Sequence, residues 1–237
     1  MDINDILEKI NQYFPTLPEQ YLKDYLEKVQ NTVINCYEKE EYQMAHFNIY
    51  LLFMTYIYLV VYQTRTLAPK DHLLVIEYIR TYNNREKDLS NIEKIFEYSE
   101  VPDSEILKML SLIGIDKATI GQYKGASKNR DPMAHATGYY VIKDRDDFES
   151  KTSTLLDYFE KINNKLLAAF KSYYLYFINQ EIDLKKFVQT GLFEKLYITN
   201  SEYKLLKNIK IKKLGEDVKK IHSQVLENIV ETIDEAV

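Results

Sequence analysis

An arginine, a carboxylate and a histidine stand close together in residues 124–138, KGASKNRDPMAHATG. Arg130 and Asp131 are adjacent, and His135 follows after Pro132, Met133 and Ala134. These side-chain types suit chemistry at a phosphodiester. A histidine, with an unperturbed pKa of about 6.5, can give or take a proton near neutrality. An arginine can grip a phosphate with paired hydrogen bonds and steady the charge that develops on it. Asp131 can orient the imidazole or the guanidinium. Where the ribose 2′-hydroxyl of RNA is the nucleophile, the cleavage needs no metal. Lys124, Lys128 and Asn129 add groups able to hold a phosphate just upstream.

The dipeptide Asp131-Pro132 predicts a helix start or a restart after a kink. Aspartate is a favoured N-cap, and proline fits the first helical position because its missing N–H would be unpaired there anyway. His135 would then lie one turn in and share a face with Asp131. Arg130 would lie just outside, where free amides and the positive end of the helix dipole favour an anion.

Amphipathic helix surrounds this stretch. The 237 residues suffice for one large domain or a core with an extension, and 46% are hydrophobic, enough for a sizeable interior. Six glycines and five prolines are too few to punctuate a many-stranded fold. The expected class is therefore all-α: an antiparallel bundle of long helices over 1–181, with a helical C-terminal extension over 182–237 packed on it.

Residues 2–13 place Ile3, Ile6, Leu7 and Ile10 on one side of a short helix. Thr16-Leu-Pro-Glu19 has the form of a capping box for the next, whose apolar stripe is Leu22, Leu26, Val29, Val33 and Cys36. Residues 45–62, AHFNIYLLFMTYIYLVVY, are nearly continuous in apolar character. They are long enough to span a bilayer. The tyrosines spread through them, with His46, Asn48 and Thr55, favour a helix buried in the core or at a subunit seam. Two helices are expected over 71–83 and 87–99, and another from Pro102-Asp103 to Gly114. Residues 115–129 read as mixed, irregular towards their end.

After the motif, Asp146-Asp-Phe-Glu149 resembles an N-terminal cap. A long helix follows, striped by Phe148, Leu155, Phe159, Ile162, Leu166, Phe170, Tyr173 and Phe177, as bundle packing requires. A shorter amphipathic segment covers 183–197. The last helix carries Val218, Ile221, Val225, Ile229 and Ile233.

Charge and cysteine content narrow the function. A net charge of −5 argues against a surface coated for nucleic acid, though not against a local basic patch. Lys204, Lys207, Lys210, Lys212, Lys213, Lys219 and Lys220 are either such a patch or a solvated helix face. Lone Cys36 excludes an internal disulfide and fits a reducing cytoplasm. No cysteine–histidine cluster has zinc spacing, and the acidic runs 38–41 and 144–149 read as solvated faces or caps. Neither metal nor cofactor is expected. His46 and His222 fall in apolar helical patterns and read as packing residues.

Arg130-Asp131-Pro-Met-Ala-His135 resembles the R-x(4–6)-H signature of the HEPN superfamily, in which a polar residue follows the arginine. The resemblance covers about 15 residues and their helical context. It implies a helical bundle with the motif before or within a late helix. It also implies a metal-independent endoribonuclease of the kind found in bacterial toxin–antitoxin, abortive-infection and CRISPR-linked antiviral defence. Arg130 and His135 become the catalytic pair, with Asp131 as polar helper and Asn129 beside them. Two motifs would meet across a homodimer to form one composite site for RNA, and an antitoxin or other defence-system protein is an expected partner. A second match, Arg65 to His72, is interrupted by Pro69 and reads as a helix–helix turn. Two further readings stand beside the ribonuclease. One is a non-catalytic HEPN-like module binding RNA, a nucleotide or a partner protein. The other is a membrane-acting effector built on residues 45–62; the buried-helix reading implies no membrane.

Overall fold

A computed structural model describes residues 2–79, 89, 92–134, 141–180, 183–209 and 215–236; the side chains of 129–132 and 134 lie outside that description. The fold is all-α. Among the described residues the sole β feature is an isolated bridge between Pro15 and Thr199.

Helix α1 (Ile3–Asn11) starts at Asp2, whose carboxylate accepts from the Asn4 amide at 2.8 Å, and buries Ile3, Ile6, Leu7 and Ile10. Helix α2 (Gln20–Glu38) buries Leu22, Leu26, Val29 and Val33. The capping box expected at its start does not form. Glu19 occupies the N-cap position without a side-chain cap, and the Thr16 hydroxyl instead donates to Asn200 Oδ1.

Helix α3 (Tyr42–Leu67) is the axis of the molecule, packed along α2 and, on its other side, along α7 (Arg145–Phe177). Among the described residues α3 is the one helix long and apolar enough to cross a membrane, and most of it is buried inside the protein. Its polar side chains are accommodated by bonding back to the preceding turn: Asn48 Nδ2 donates to Met44 O and Thr55 Oγ1 to Leu51 O, each at 2.8 Å. These two side chains thus keep a hydrogen-bond partner inside a largely apolar helix.

Ala68 breaks the chain, and Pro69 opens α4 (Pro69–Ile76). This helix ends earlier than the expected residue 83. In place of the helix expected over 87–99, residues 92–94 are non-helical and a 3-10 segment covers Ile95–Glu100. Helix α5 (Asp103–Ile106) continues as a 3-10 segment, Leu107–Ile113, which stops at Gly114 with a left-handed φ of 82°. Helix α6 spans Lys117–Ala134. The long helix α7 is capped by Asp144, which accepts from the Asp147 amide at 2.9 Å, two residues before the expected cap.

Beyond α7 come a single turn α8 (Leu184–Lys186), a π-helix (Phe187–Glu194), α9 (Asn200–Asn208) and α10 (Glu216–Ala236). The apolar interior forms two clusters. One gathers α1 to α3, residues 89–123 and α7 as far as Leu166. The second starts at Phe170 and collects Tyr174, Ile178, the π-helix, α9 and α10. The hydrophobic division therefore falls within α7, upstream of the expected boundary at 181. The C-terminal part is tied back by backbone bonds at 2.9 to 3.1 Å: Thr16 N to Ile198 O, Asn200 N to Phe14 O and Ser201 N to Gln12 O.

Candidate functional site

The motif's residues from Arg130 to Ala134 belong to α6. Its N-terminal end is fixed by Asp116, whose carboxylate accepts from the Ala118 amide at 2.9 Å, the Thr119 amide at 3.0 Å and the Thr119 hydroxyl at 2.6 Å. These bonds, that of the Thr119 hydroxyl foremost, hold its carboxyl below the usual aspartate value. Ile120 and Tyr123 are buried, and the Tyr123 ring meets that of Tyr158 on α7 at 4.6 Å. One turn on, Ser127 Oγ donates to Asp103 Oδ2 at 3.2 Å, and the same oxygen accepts from the Tyr50 hydroxyl at 2.8 Å. Asp103 therefore links α5, α3 and α6 just before the motif.

The helix runs unbroken through Asp131 and Pro132 to Ala134. This corrects two expectations. Residues 117–129 are helical to their end, and Asp131 is not an N-cap. Pro132 lies in the last turn, where its missing N–H leaves the Lys128 carbonyl without its usual partner four residues on. Arg130 and Asp131 sit near the C-terminal, negative end of the helix dipole, so the free amides expected to receive a phosphate are not at that spot. Sequence reasoning failed here because Asp-Pro is a strong start signal locally, whereas the packing of Ile120, Tyr123 and Ser127 carries the helix across it.

Lys124 is half-buried and Lys128 exposed. Positions 124, 128 and 131 follow one another at steps of four and three, so they share one face of α6. Position 130 instead continues the row of 123 and 127. The side chains of Asn129, Arg130 and Asp131 lie outside the described residues, as does His135 altogether.

A cavity of about 450 Å³ opens beside the middle of α6, between it, α3 and α7. Gln122, Gly125 and Ala126 form one wall, facing His46, Tyr50, Lys151 and Tyr158. His46 Nδ1 lies 3.2 Å from Thr152 Oγ1. Burial, reinforced by the Lys151 ammonium, pushes its imidazole down to about 4. His46 is thus neutral at pH 7, able to donate or accept a hydrogen bond but not to carry a proton to a leaving group. Lys151 donates to the Val141 carbonyl and stands 3.6 Å from the Asp147 carboxylate. Together these groups make a polar recess with one cation and neutral hydrogen-bonding side chains.

Sequence reading set His46 aside as a packing residue, and its burial against Thr152 agrees with that. Asp103, Tyr50 and Lys151 were not singled out. Nothing in their local spacing marks them, because they meet only when α3, α5, α6 and α7 are assembled. His72, in the second arginine–histidine match, is buried in α4 with Nδ1 2.7 Å from Thr64 Oγ1, and Arg65 lies across the α3–α4 turn from it. Of the lysines at 204–220, Lys204, Lys207 and Lys220 are exposed and Lys219 pairs with Glu216; Lys210, Lys212 and Lys213 lie outside the described residues. Among the described residues no group of three or more histidine, cysteine, aspartate or glutamate side chains is placed to hold a metal ion.

No family model, curated protein or solved structure matches this chain.

Proposed function

We propose that this chain is a HEPN-type endoribonuclease of a bacterial defence or toxin system, acting in the cytoplasm as a homodimer without metal or cofactor. The observation that carries the reading is the spacing Arg130-Asp131-(three residues)-His135 in an all-α protein. The shared face of positions 124, 128 and 131 supports it, since it brings two lysines into line with the position of Asp131 along one helix.

In this reading His135 moves the proton of the attacking 2′-hydroxyl and Arg130 stabilises the phosphorane. Asp131 and Asn129 position that pair, while Lys124 and Lys128 hold flanking phosphates. In-line attack leaves a 2′,3′-cyclic phosphate on one product and a free 5′-hydroxyl on the other. Two copies of the motif form one cleft, and an antitoxin or other defence protein is the natural regulator of such an activity.

The test is cleavage of RNA by purified wild type, His135→Ala and Arg130→Ala in excess EDTA. The expected result is cleavage by wild type alone, ending in cyclic phosphate. Equal cleavage by all three moves the activity away from this motif. RNA binding without cleavage by folded wild type, retained in His135→Ala, replaces the nuclease with a binding module. Light scattering on the same samples reads the dimer; an active monomer removes the composite site.

A further inference from the structure

A larger cavity than the one beside α6 lies elsewhere, where the two hydrophobic clusters meet. It is an open cleft of about 1000 Å³ between the α3–α4 turn, the C-terminal half of α7 and the π-helix. That volume is at the upper end of the roughly 300–1,000 Å³ typical of small-molecule sites. Its walls are largely apolar: Leu67, Pro69, Ala169, Tyr173, Phe177 and Phe187. Phe177 and Phe187 stack at 5.6 Å, joining α7 to the π-helix. Gly191 permits this, because a Cβ there would come within 2.9 Å of the Phe187 ring. A π-helix is a rare distortion that recurs at functional sites, and this one forms a wall of the cleft.

Two features define what such a cleft can hold. First, two of its aliphatic hydroxyls are engaged within their own helices: Ser172 Oγ donates to Ala168 O at 3.1 Å and Thr190 Oγ1 to Lys186 O at 2.7 Å. The walls thus favour an apolar body over a group such as a nucleobase, whose polar edge needs several partners. Second, its charge is lopsided. Three cations line it, Arg65 and the exposed Lys186 and Lys195, whereas Asp183 is the one carboxylate among the lining residues and already accepts from the Lys186 amide at 3.1 Å. In a chain of net charge −5, this is a local cationic rim around an apolar hole.

We infer that the cleft binds a free long-chain fatty acid, its chain against Tyr173, Phe177 and Phe187 and its carboxylate paired with the ammonium groups of Lys186 and Lys195. An occupant would touch α3, α7 and the π-helix at once, and so would raise the melting temperature of the whole chain as it binds.

The test is titration of the full-length protein with the fluorescent polyene parinaric acid and with the corresponding alcohol. The expected result is saturable binding of one acid per chain, with a raised melting temperature. Lys186→Gln/Lys195→Gln should weaken the acid about tenfold and leave the alcohol unchanged. Ala169→Trp, or Ser172→Phe where the first fails to fold, should weaken both by filling the cleft. Absence of saturable acid binding by wild type overturns the inference. So does acid binding indifferent to the lysines, or to the filling substitutions in folded protein. Sedimentation with anionic phospholipid vesicles that depends on the two lysines, without binding of the monomeric acid, also overturns it and assigns the rim to a membrane surface.

Discussion

Gln63 Nε2 lies 3.1 Å from Glu202 Oε2, deep in the protein, where α3 meets α9. The same amide nitrogen donates to the Leu196 carbonyl at 2.6 Å, and Glu202 closes a capping box with Thr199. Both residues are fully buried, and Gln63 Oε1 and Glu202 Oε1 are acceptors without a hydrogen-bond partner among the described residues. Burial pushes the Glu202 carboxyl up to about 7, against its hydrogen bonds to Thr199 and Gln63. A proton on it would supply a donor to a pair of acceptors that has none.

Stability should consequently depend on this one carboxyl. Its folded pKa is above the unfolded value of about 4.3, so the protonated form is the one folding favours. Its contribution is whole below about pH 4.5 and is lost as pH rises through 7. Glu202→Gln keeps an oxygen to accept from the Thr199 amide and removes the titration. Between pH 5 and pH 8, wild type should lose on the order of 2 kcal/mol more than this variant in urea unfolding. Identical pH profiles would show that Glu202 titrates normally in the fold.

His72 works in the opposite sense. Thr64 Oγ1 donates to Val61 O at 2.6 Å, so its one hydrogen is used and His72 Nδ1 must donate to it. His72 Nε2 is left as a buried, unpaired acceptor. Burial, with Arg65 nearby, pushes this imidazole down to about 4. A depressed histidine contributes stability above its unfolded pKa of about 6.5, lost as pH falls towards 4. On acidification from pH 7 to pH 5, His72→Leu should lose about 2 kcal/mol less than wild type. Equal losses would mean the ring is protonated without cost.

The histidine and glutamate sites also show what could be read from the chain alone. Thr199-Asn-Ser-Glu202 is a capping-box string immediately before a helix, legible in principle and passed over; Thr16-Leu-Pro-Glu19 has the same form and makes no box. Tertiary bonds decide between them, since Thr16 is drawn to Asn200 and Glu19 accepts from the Tyr197 hydroxyl. Apolar stripes were the reliable signal. Ile3, Ile6, Leu7 and Ile10, and Phe148 through Phe170 on α7, are buried as their spacing requires. On α7 the stripe then shifts to Tyr174, with Tyr173 and Phe177 half-exposed, because a new partner surface begins there. The site was legible as residue types and as an order along the chain. Its geometry was not, because the continuation of α6 through Pro132 depends on contacts with Asp103, Tyr50 and Tyr158 from other elements.

Phe159 tests the core that carries these contacts. Its ring is fully buried, 5.2 Å from each of the Tyr13, Phe53 and Tyr56 rings. Phe159→Ala removes a ring shared by α3, α7 and the segment after α1. It should cost about 3–5 kcal/mol, as large-to-small changes at closely packed aromatic sites do. A loss below 1 kcal/mol in denaturant unfolding would mean the site collapses freely and is not the packing centre described.

Asp103 tests the attachment of the motif helix. Its Oδ2 accepts from Tyr50 on α3 and from Ser127 on α6. Asp103→Ala leaves two hydroxyls without that acceptor, which should cost about 1–3 kcal/mol. The loss should be local before it is global. Amide exchange should accelerate in the second half of α6, from Tyr123 onwards, while α1 and α2 keep their protection. If the ribonuclease reading holds, RNA cleavage should fall through kcat with binding little changed, because Asp103 positions the helix and does not itself hold substrate. Asp103→Asn, which keeps an accepting oxygen, should restore much of both. Exchange that accelerates equally in every helix would make Asp103 a general stability residue and detach it from the motif.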